Sequence, residues 1–243
     1  MKPRLRADRL LVERGLFESR AKAQAAIAAG RVTADHVVIG KASDEIPLDA
    51  AIEAEPAHPF VSRGGLKLAA ALDHFDFDPR GSVALDVGAS TGGFTDVLLA
   101  RGAKRIYAVD VGRDQLHPRL RDRPEVVCYE RIDIRTLSAD RLPAPPDLIV
   151  IDVSFISLRL VLPPALALAA APGRLVALIK PQFEAGRRHL KKGVVRDAAI
   201  HADVCADIAG VAASRGWTVR GVVPSPIAGG DGNREFLLGA VRG

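Results

Sequence analysis

Lysine is scarce in this 243-residue chain, which holds eight lysines against 26 arginines. Where arginine supplies most of the cations, a lysine in an apolar context stands out. A compact ammonium can change its protonation on burial, whereas a guanidinium stays charged. Two lysines sit in such contexts: Lys67 in Gly64-Gly-Leu-Lys-Leu-Ala, at the start of a predicted helix with Leu66, Leu68 and Leu72, and Lys180, which closes the apolar run Leu175–Ile179 ahead of Pro181. The alternative for either is a side chain that snorkels to the surface. Carboxylates recur at comparable places. Asp86, Asp110 and Asp152 end apolar runs, Asp133 lies just beyond another, and Glu235 opens the last one.

The first of those runs leads into Asp86-Val-Gly-Ala-Ser-Thr-Gly-Gly93. Its glycines let the backbone turn tightly and bring a ligand against its amides. Gly88, Gly92 and Gly93 do not have G-x-G-x-x-G spacing, and no Gly-Lys-Ser follows. With no basic residue in the loop, a pyrophosphate is a poor guest, while Asp86 suits a cationic one. The methionyl end of S-adenosylmethionine carries an ammonium and a sulfonium. Asp110, 24 residues after Asp86, is placed to accept hydrogen bonds from a ribose diol. The combination favours a methyltransferase cofactor site over a simple turn. Its expected members are Asp86, Gly88, Ala89, Ser90, Gly92, Gly93 and Phe94 in the loop, with Asp110, Val111, Asp133 and Asp152 on later strand ends.

Those residues need a frame. Strand-like runs at Val83–Val87, Ile106–Asp110, Val126–Tyr129, Leu148–Asp152, Leu175–Lys180, Trp217–Val223 and Glu235–Val241 alternate with helical stretches such as 94–100 and 198–215. That alternation predicts an α/β fold, a parallel sheet covered on both faces, in which ligands bind at the carboxyl ends of the strands. Ahead of it, residues 6–14 read as a short amphipathic helix stopped by Gly15. Ser19 stands as an N-cap for a second helix, whose inner face is Ala23, Ala26 and Ile27 and whose end is Gly30. The runs 31–33 and 37–39 read as a small hairpin turning at Ala34-Asp35. Residues 56–64, rich in proline and turn formers, read as a linker.

Charge follows the same division. The chain carries a net charge of +5: residues 1–41 hold nine basic and four acidic side chains, residues 42–60 five acidic and no basic, and residues 61–243 are again net +5. Two basic blocks hint at a polyanionic partner. Arg187, Arg188, Lys191 and Lys192 after the Lys180 run form either a phosphate grip or an ordinary exposed loop.

Two resemblances follow. Arg9-Leu10, Gly15-Leu16, Ser19-Arg20, Ala23, Ile27, Gly30-Arg31-Val32 and Lys41 resemble the S4 RNA-binding module. The usual Val-Asn-Gly turn of that module is replaced here by Thr33-Ala34-Asp35. The likeness implies that Arg6, Arg9, Ser19, Arg20, Lys22 and Arg31 face RNA phosphates, with Arg63 joining them further on. Lys67, Asp152, Lys180 and Glu235 resemble the Lys-Asp-Lys-Glu tetrad of FtsJ-type ribose 2′-O-methyltransferases. Phe60-Val-Ser-Arg-Gly-Gly-Leu-Lys-Leu, Leu85-Asp-Val-Gly-Ala-Ser-Thr-Gly-Gly-Phe-Thr, Ile151-Asp-Val-Ser-Phe-Ile-Ser-Leu, Ile179-Lys-Pro-Gln-Phe-Glu and Gly232-Asn-Arg-Glu-Phe-Leu look like the TlyA (hemolysin A) branch of that group.

The likeness implies a Rossmann-like class I methyltransferase domain with a seven-stranded, mostly parallel sheet over 65–243, a linker at 60–64, and an α+β S4-like domain over 1–59. It implies methylation of a cytidine ribose in 16S or 23S ribosomal RNA or ribosomal subunits, with S-adenosylmethionine as the only cofactor. In that scheme Lys180 stabilises the developing alkoxide and, where it is neutral, accepts the proton, and Asp152 orients Lys180. Lys67 and Glu235 hold the ribose and balance charge.

Other readings are a small-molecule methyltransferase, an RNA-binding assembly factor with a vestigial fold, and a membrane-active hemolysin. The longest nearly uncharged stretch, residues 160–173, contains three prolines and is too short to span a membrane. No signal core follows the basic start, so a cytoplasmic protein is expected, and it is expected to be a monomer. Cys128 and Cys205 read as separate thiols, and His189 and His201 as surface residues with no metal partner.

Overall fold

A computed structural model describes residues 3–243; Met1 and Lys2 lie outside the described residues. The chain forms two compact units, Met1–Pro59 and Phe60–Gly243.

In the first unit, β1 (Arg4–Arg6) leads directly into α1 (Ala7–Glu13), and α2 (Arg20–Ala28) follows. Ser19 caps α2 by accepting from the Lys22 N–H. Gly30 (φ +67°) ends it, with the Gly30 N–H donating to Ile27 O and the Arg31 N–H to Ala26 O. The hairpin joins β2 (Val32–Ala34) to β3 (Val37–Val38). Its turn sits one residue later than the expected Ala34-Asp35. Asp35 (φ +49°) and His36 (φ +65°) are both left-handed, the geometry of a two-residue turn that matches strand twist. The Asp35 carboxylate holds that conformation by accepting from the Ala51 N–H at 2.9 Å. β4 (Glu45–Pro47) pairs with β1, and β5 (Ile52–Ala54) with β2. Strands of three residues carry too little alternation to be seen in sequence, so β1, β4 and β5 were not among the expected elements.

Leu10, Leu11, Phe17, Ala23, Ile27, Val32 and Ile46 form the first unit's core. At its edge lies a fully buried carboxylate, Asp8. It accepts two bonds from Arg6 at 3.1 Å, two from Arg20 at 2.7 and 3.2 Å, and one from Gln24 at 2.8 Å. The Arg6 bond outweighs burial, and with Arg20 and Gln24 it holds Asp8 well below the usual carboxylate range.

The second unit is a sheet of seven strands: β6 (Val83–Val87), β7 (Arg105–Asp110), β8 (Val126–Glu130), β9 (Leu148–Ile151), β10 (Gly173–Ile179), β11 (Thr218–Pro224) and β12 (Phe236–Arg242). Their spatial order is β11-β12-β10-β9-β6-β7-β8. The five strands from β10 to β8 run parallel, while β12 runs antiparallel to both β10 and β11. Alternate residues feed two cores. Leu85, Val87, Ile149, Ile151, Leu175 and Ala177 belong to one, with Leu158 and Leu162 of α6 (Leu158–Ala167) and Val204 and Ile208 of α8 (Ala198–Ala213). Ala84, Leu148, Val150 and Val176 belong to the other, with α3 (Gly64–Phe75) and α4 (Gly93–Ala100). Two short helices complete the unit, α5 (Pro118–Arg121) and α7 (Pro181–Glu184). α6 forms despite Pro163 and Pro164 in its interior. The Ser157 cap and the burial of Leu158, Val161, Leu162, Ala165 and Leu166 outweigh the lost backbone bonds.

Three sequence expectations change. Residues 60–64 are not a free linker. Val61 is buried, its N–H donates to the Asp96 carboxylate at 2.7 Å, and Gly64 already begins α3. The first helix starts at Ala7, because Arg6 is spent in β1. His201 is buried, with its Nε2 3.1 Å from Val195 O, so it is a structural residue of α8 and not a surface one.

Asp8→Asn is expected to destabilise the first unit by about 2 kcal/mol, since the amide cannot satisfy two guanidinium groups. The effect should appear as faster amide hydrogen exchange in α1 and α2, with exchange in β6 and β9 unchanged. Because the folded Asp8 titrates below its ordinary value, its contribution is present at neutral pH and is lost progressively as the pH falls from the ordinary carboxylate range through that depressed value.

Candidate active site

The order of the sheet reverses direction between β6 and β9, and ligands of such sheets bind at the carboxyl ends beside that point. The loop after β6 meets the end of β9 there. Gly88 has φ +83°, and a Cβ on it would lie 2.3 Å from Asp152 O, so both conformation and contact require glycine. Asp152 follows β9 directly, and Lys180 follows β10. β12 enters this edge from the opposite direction. Its first residue, Phe236, pairs with Ile179, which brings Glu235 to the edge where Lys180 ends β10. Lys67 arrives from the first turns of α3, packed among Leu68, Ala71 and Leu72.

The four residues form two ammonium–carboxylate pairs. Lys67 Nζ donates to Glu235 Oε2 at 2.5 Å, with the side chains 10% and 3% exposed. Lys180 Nζ lies 2.6 Å from Asp152 Oδ1 and donates to Ser154 Oγ at 2.9 Å. Lys67, Asp152 and Lys180 line one cavity of about 300 Å³, and Glu235 reaches it through Lys67. Ser62, Arg63 and Gly64 contribute a second wall, the glycine loop a third, and Ile227, Ala228 and Gly230 the fourth.

The expected cofactor residues divide. Gly88, Ala89, Ser90, Gly93, Phe94 and Asp152 line the cavity. Asp86 is fully buried on β6, where its Oδ2 accepts from the Thr95 hydroxyl at 2.6 Å and its Oδ1 has no partner. Burial pushes Asp86 up to about 7, helped by the negative charge of Asp152 and Asp110 and opposed by the Thr95 bonds. A carboxylate with one unsatisfied oxygen beneath a glycine loop fits a small cation. Gly92 turns toward Leu116 and Leu120. Asp110 lies outside the cavity lining, and it holds the loop by accepting from the Ser90 N–H at 2.8 Å and the Gly112 N–H at 2.7 Å. Val111 is 70% exposed and also lies outside the lining. Asp133 is gripped by Arg135, at 2.6 Å from Nη2, which holds it below its ordinary value.

The expected RNA contacts also divide. In the first unit, Arg6 and Arg20 are tied to Asp8, Lys22 to Glu18, and Arg31 to Glu55 at 3.1 Å, while Ser19 serves as a cap. Arg9 is exposed on α1. In the second unit Arg63 lies on the cavity wall, and Arg187, Arg188, Lys191 and Lys192 are exposed on the segment after α7.

Three residues fall inside the motif segments but were given no role of their own. Ser154 binds Lys180. Phe155 is 92% exposed with φ +65°, its ring 5.2 Å from that of Phe183. Glu184 accepts from the Ser157 hydroxyl at 2.5 Å and the Leu158 N–H at 2.8 Å, which pins the loop after Asp152 to the segment after Lys180. The motifs mark these positions, but a serine, an aromatic and a glutamate there do not say locally what each one touches. Their meaning comes from a neighbour across the fold. Among the described residues no His, Cys, Asp and Glu cluster could hold a metal ion.

Comparison with known proteins agrees with this geometry. Residues 60–242 match the FtsJ-like methyltransferase family and residues 5–52 the S4 domain. The chain is 47% identical to the YqxC protein of Bacillus subtilis over 96% of this chain and 84% of that one. It is 42% identical to the 16S/23S rRNA (cytidine-2′-O)-methyltransferase TlyA of Mycobacterium tuberculosis, over 98% of this chain and 90% of that one. A solved structure from Streptococcus thermophilus, named for hemolysin, superimposes with a TM-score of 0.77 at 40% identity, covering 100% of this chain and 90% of that one. The chain therefore belongs to the FtsJ-like methyltransferases, and it carries an S4 domain ahead of the methyltransferase domain.

Proposed function

We propose that the protein transfers a methyl group from S-adenosylmethionine to the 2′-hydroxyl of a cytidine in 16S or 23S ribosomal RNA, acting as a cytoplasmic monomer. The observation that carries this reading is one cavity that joins two lysine–carboxylate pairs to a glycine loop with an unsatisfied buried carboxylate beneath it. The named activity of the Mycobacterium tuberculosis relative supports the choice of substrate.

The bound cofactor supplies an electrophilic methyl on a sulfonium. Asp86, buried beneath the loop and outside the cavity lining, would draw its ammonium by charge, the backbone of Gly88, Ala89 and Ser90 would line its path, and Asp110 keeps that loop in shape. The chain's own task is to activate a weakly acidic hydroxyl. Lys180 is the group for it. Its ammonium is fixed by Asp152 and Ser154, so it faces the cavity in one orientation and stabilises negative charge as it develops on the ribose oxygen. The hydroxyl proton passes to solvent as the C–O bond forms and the sulfur–methyl bond breaks; Lys180 takes it only in molecules where it starts as the neutral amine. Lys67, fixed by Glu235, donates to the sugar, and holding both partners in line lowers the entropic barrier. Phe155 presents an open ring on which an unstacked base can lie. The S4 domain and Arg63 hold the RNA backbone with little sequence readout. A purely binding role would leave two desolvated lysine pairs in one cavity without a purpose.

Lys180→Ala should abolish transfer of radiolabelled methyl to ribosomal RNA or subunits while cofactor binding survives. Equal incorporation by wild type and variant would refute the mechanism. Removal of residues 1–59 should weaken RNA binding and leave cofactor affinity nearly unchanged.

Asp86 gives a pH test. Its carboxyl is raised to about 7 in the folded protein, so the ligand-free protein loses stability as pH rises from about 4 to about 7. Affinity for the cationic cofactor should rise over the upper part of the same window and level off above it. Asp86→Asn should lose roughly a hundredfold in cofactor affinity at pH 8. It should also raise the melting temperature of the ligand-free protein there by about 2–8 °C. Calorimetry and thermal unfolding check both.

A further inference from the structure

Asn233 is completely buried, yet it lies between two polar, exposed loops. Its side chain behaves like a rung of a β-ladder. Oδ1 accepts from the Val195 N–H at 3.1 Å, and Nδ2 donates to Gly193 O at 3.0 Å. Those two residues end a tight hairpin in which Lys191 and Val194 exchange backbone hydrogen bonds at 3.0 and 3.1 Å. Val195 is buried beneath it, its carbonyl against His201. The hairpin carries Lys191 and Lys192, with Arg187 and Arg188 just before it, and none of the four is paired with a carboxylate among the described residues. This contrasts with Arg6, Arg20, Lys22 and Arg31 of the first unit, each of which is paired with a carboxylate, Arg6 and Arg20 sharing Asp8.

On its main-chain side, Asn233 O accepts from the Gly229 N–H at 2.9 Å, closing the loop whose Ile227, Ala228 and Gly230 form a cavity wall. Gly229 rests on the catalytic pair itself. A Cβ there would lie 2.5 Å from Glu235 Oε1. One buried residue therefore holds the basic hairpin through its side-chain amide and the cavity wall beside Glu235 through its main-chain carbonyl, and the fit of the amide sets where that carbonyl lies. No apolar side chain could do this, because both backbone groups it satisfies would be left unpaired.

We propose that Asn233 is a positioning residue that couples the basic hairpin, as a contact for the RNA phosphate backbone, to the Lys67–Glu235 pair. The proposal rests on the reading of the protein as an RNA methyltransferase. Seating a phosphate chain on Lys191 and Lys192 then draws on the same contacts that hold Glu235 in place, and loosening the amide weakens both.

The test compares wild type, Asn233→Ala, Asn233→Asp, Lys191→Ala/Lys192→Ala and the combination of Asn233→Ala with the lysine changes, all in the full chain. Methyl transfer to ribosomal RNA and the salt dependence of RNA binding are measured, with cofactor affinity and thermal unfolding as checks of folding. The lysine variant is expected to raise the KM for RNA and to flatten the slope of log K against log salt by about two. Asn233→Ala should raise that KM roughly tenfold, flatten the slope in the same direction, and also lower kcat. Combined with the lysine changes it should add little further to KM or slope. Asn233→Asp keeps the acceptor for Val195 and loses the donor for Gly193, so it should fall between, and it serves if the alanine variant does not fold. Additive effects, or an unchanged salt slope in both Asn233 variants, would overturn the coupling. If the wild type itself transferred no methyl to RNA, the functional reading would fail and not this coupling alone.

Discussion

Two ammonium–carboxylate pairs at one edge of a sheet are the constraint around which this protein is built. Removing such charges from water costs several kcal/mol per ion, and their mutual attraction roughly repays it only when every partner is in place. The pairs are therefore not there for stability. Lys67 and Glu235 are nearly inaccessible, so the packing of Leu68, Ala71 and Leu72 on the sheet must carry the cost of holding them. What the arrangement provides is preorganisation. Both ammonium groups are fixed before a substrate arrives, and neither has to reorganise as charge develops on an attacking oxygen.

The cofactor side obeys the same logic. Asp86 is buried with one oxygen unsatisfied, a cost that the ligand-free protein meets by raising the affinity of that carboxyl for a proton. A cationic guest removes the cost. The loop above it can approach only because Gly88 has no side chain against Asp152 O, and it keeps its shape because Asp110 accepts from Ser90 and Gly112. The acid expected to serve a ribose is thus first of all a fastener of the loop.

The cations expected to meet RNA differ in kind. Arg6, Arg20, Lys22 and Arg31 of the S4 domain are drawn into carboxylate pairs, with Asp8 at the centre of the tightest cluster, so these side chains are oriented before any phosphate is met. Arg187, Arg188, Lys191 and Lys192 have no carboxylate partner among the described residues, and a buried asparagine fixes the hairpin that carries the two lysines. The first arrangement favours geometric fit, and the second favours long-range attraction that falls with salt.

Much of this was written in local sequence. Alternating apolar runs gave the strands of the second unit, Ser19 and Gly30 the limits of α2, and the glycine loop its place after β6, because these depend on contacts a few residues apart. Lys67 and Lys180 stood out because lysine is rare and both lie beside apolar runs. The one-residue offset of the hairpin turn to Asp35-His36, the strands β1, β4 and β5 and the proline-containing α6 were hidden, since each is held by a partner distant in the chain. The same holds for the pairing of the charges. Lys67 and Glu235 are 168 residues apart, and nothing local says which carboxylate each lysine takes. That was decided by the antiparallel entry of β12, which alone brings the start of a strand to the edge where the parallel strands end.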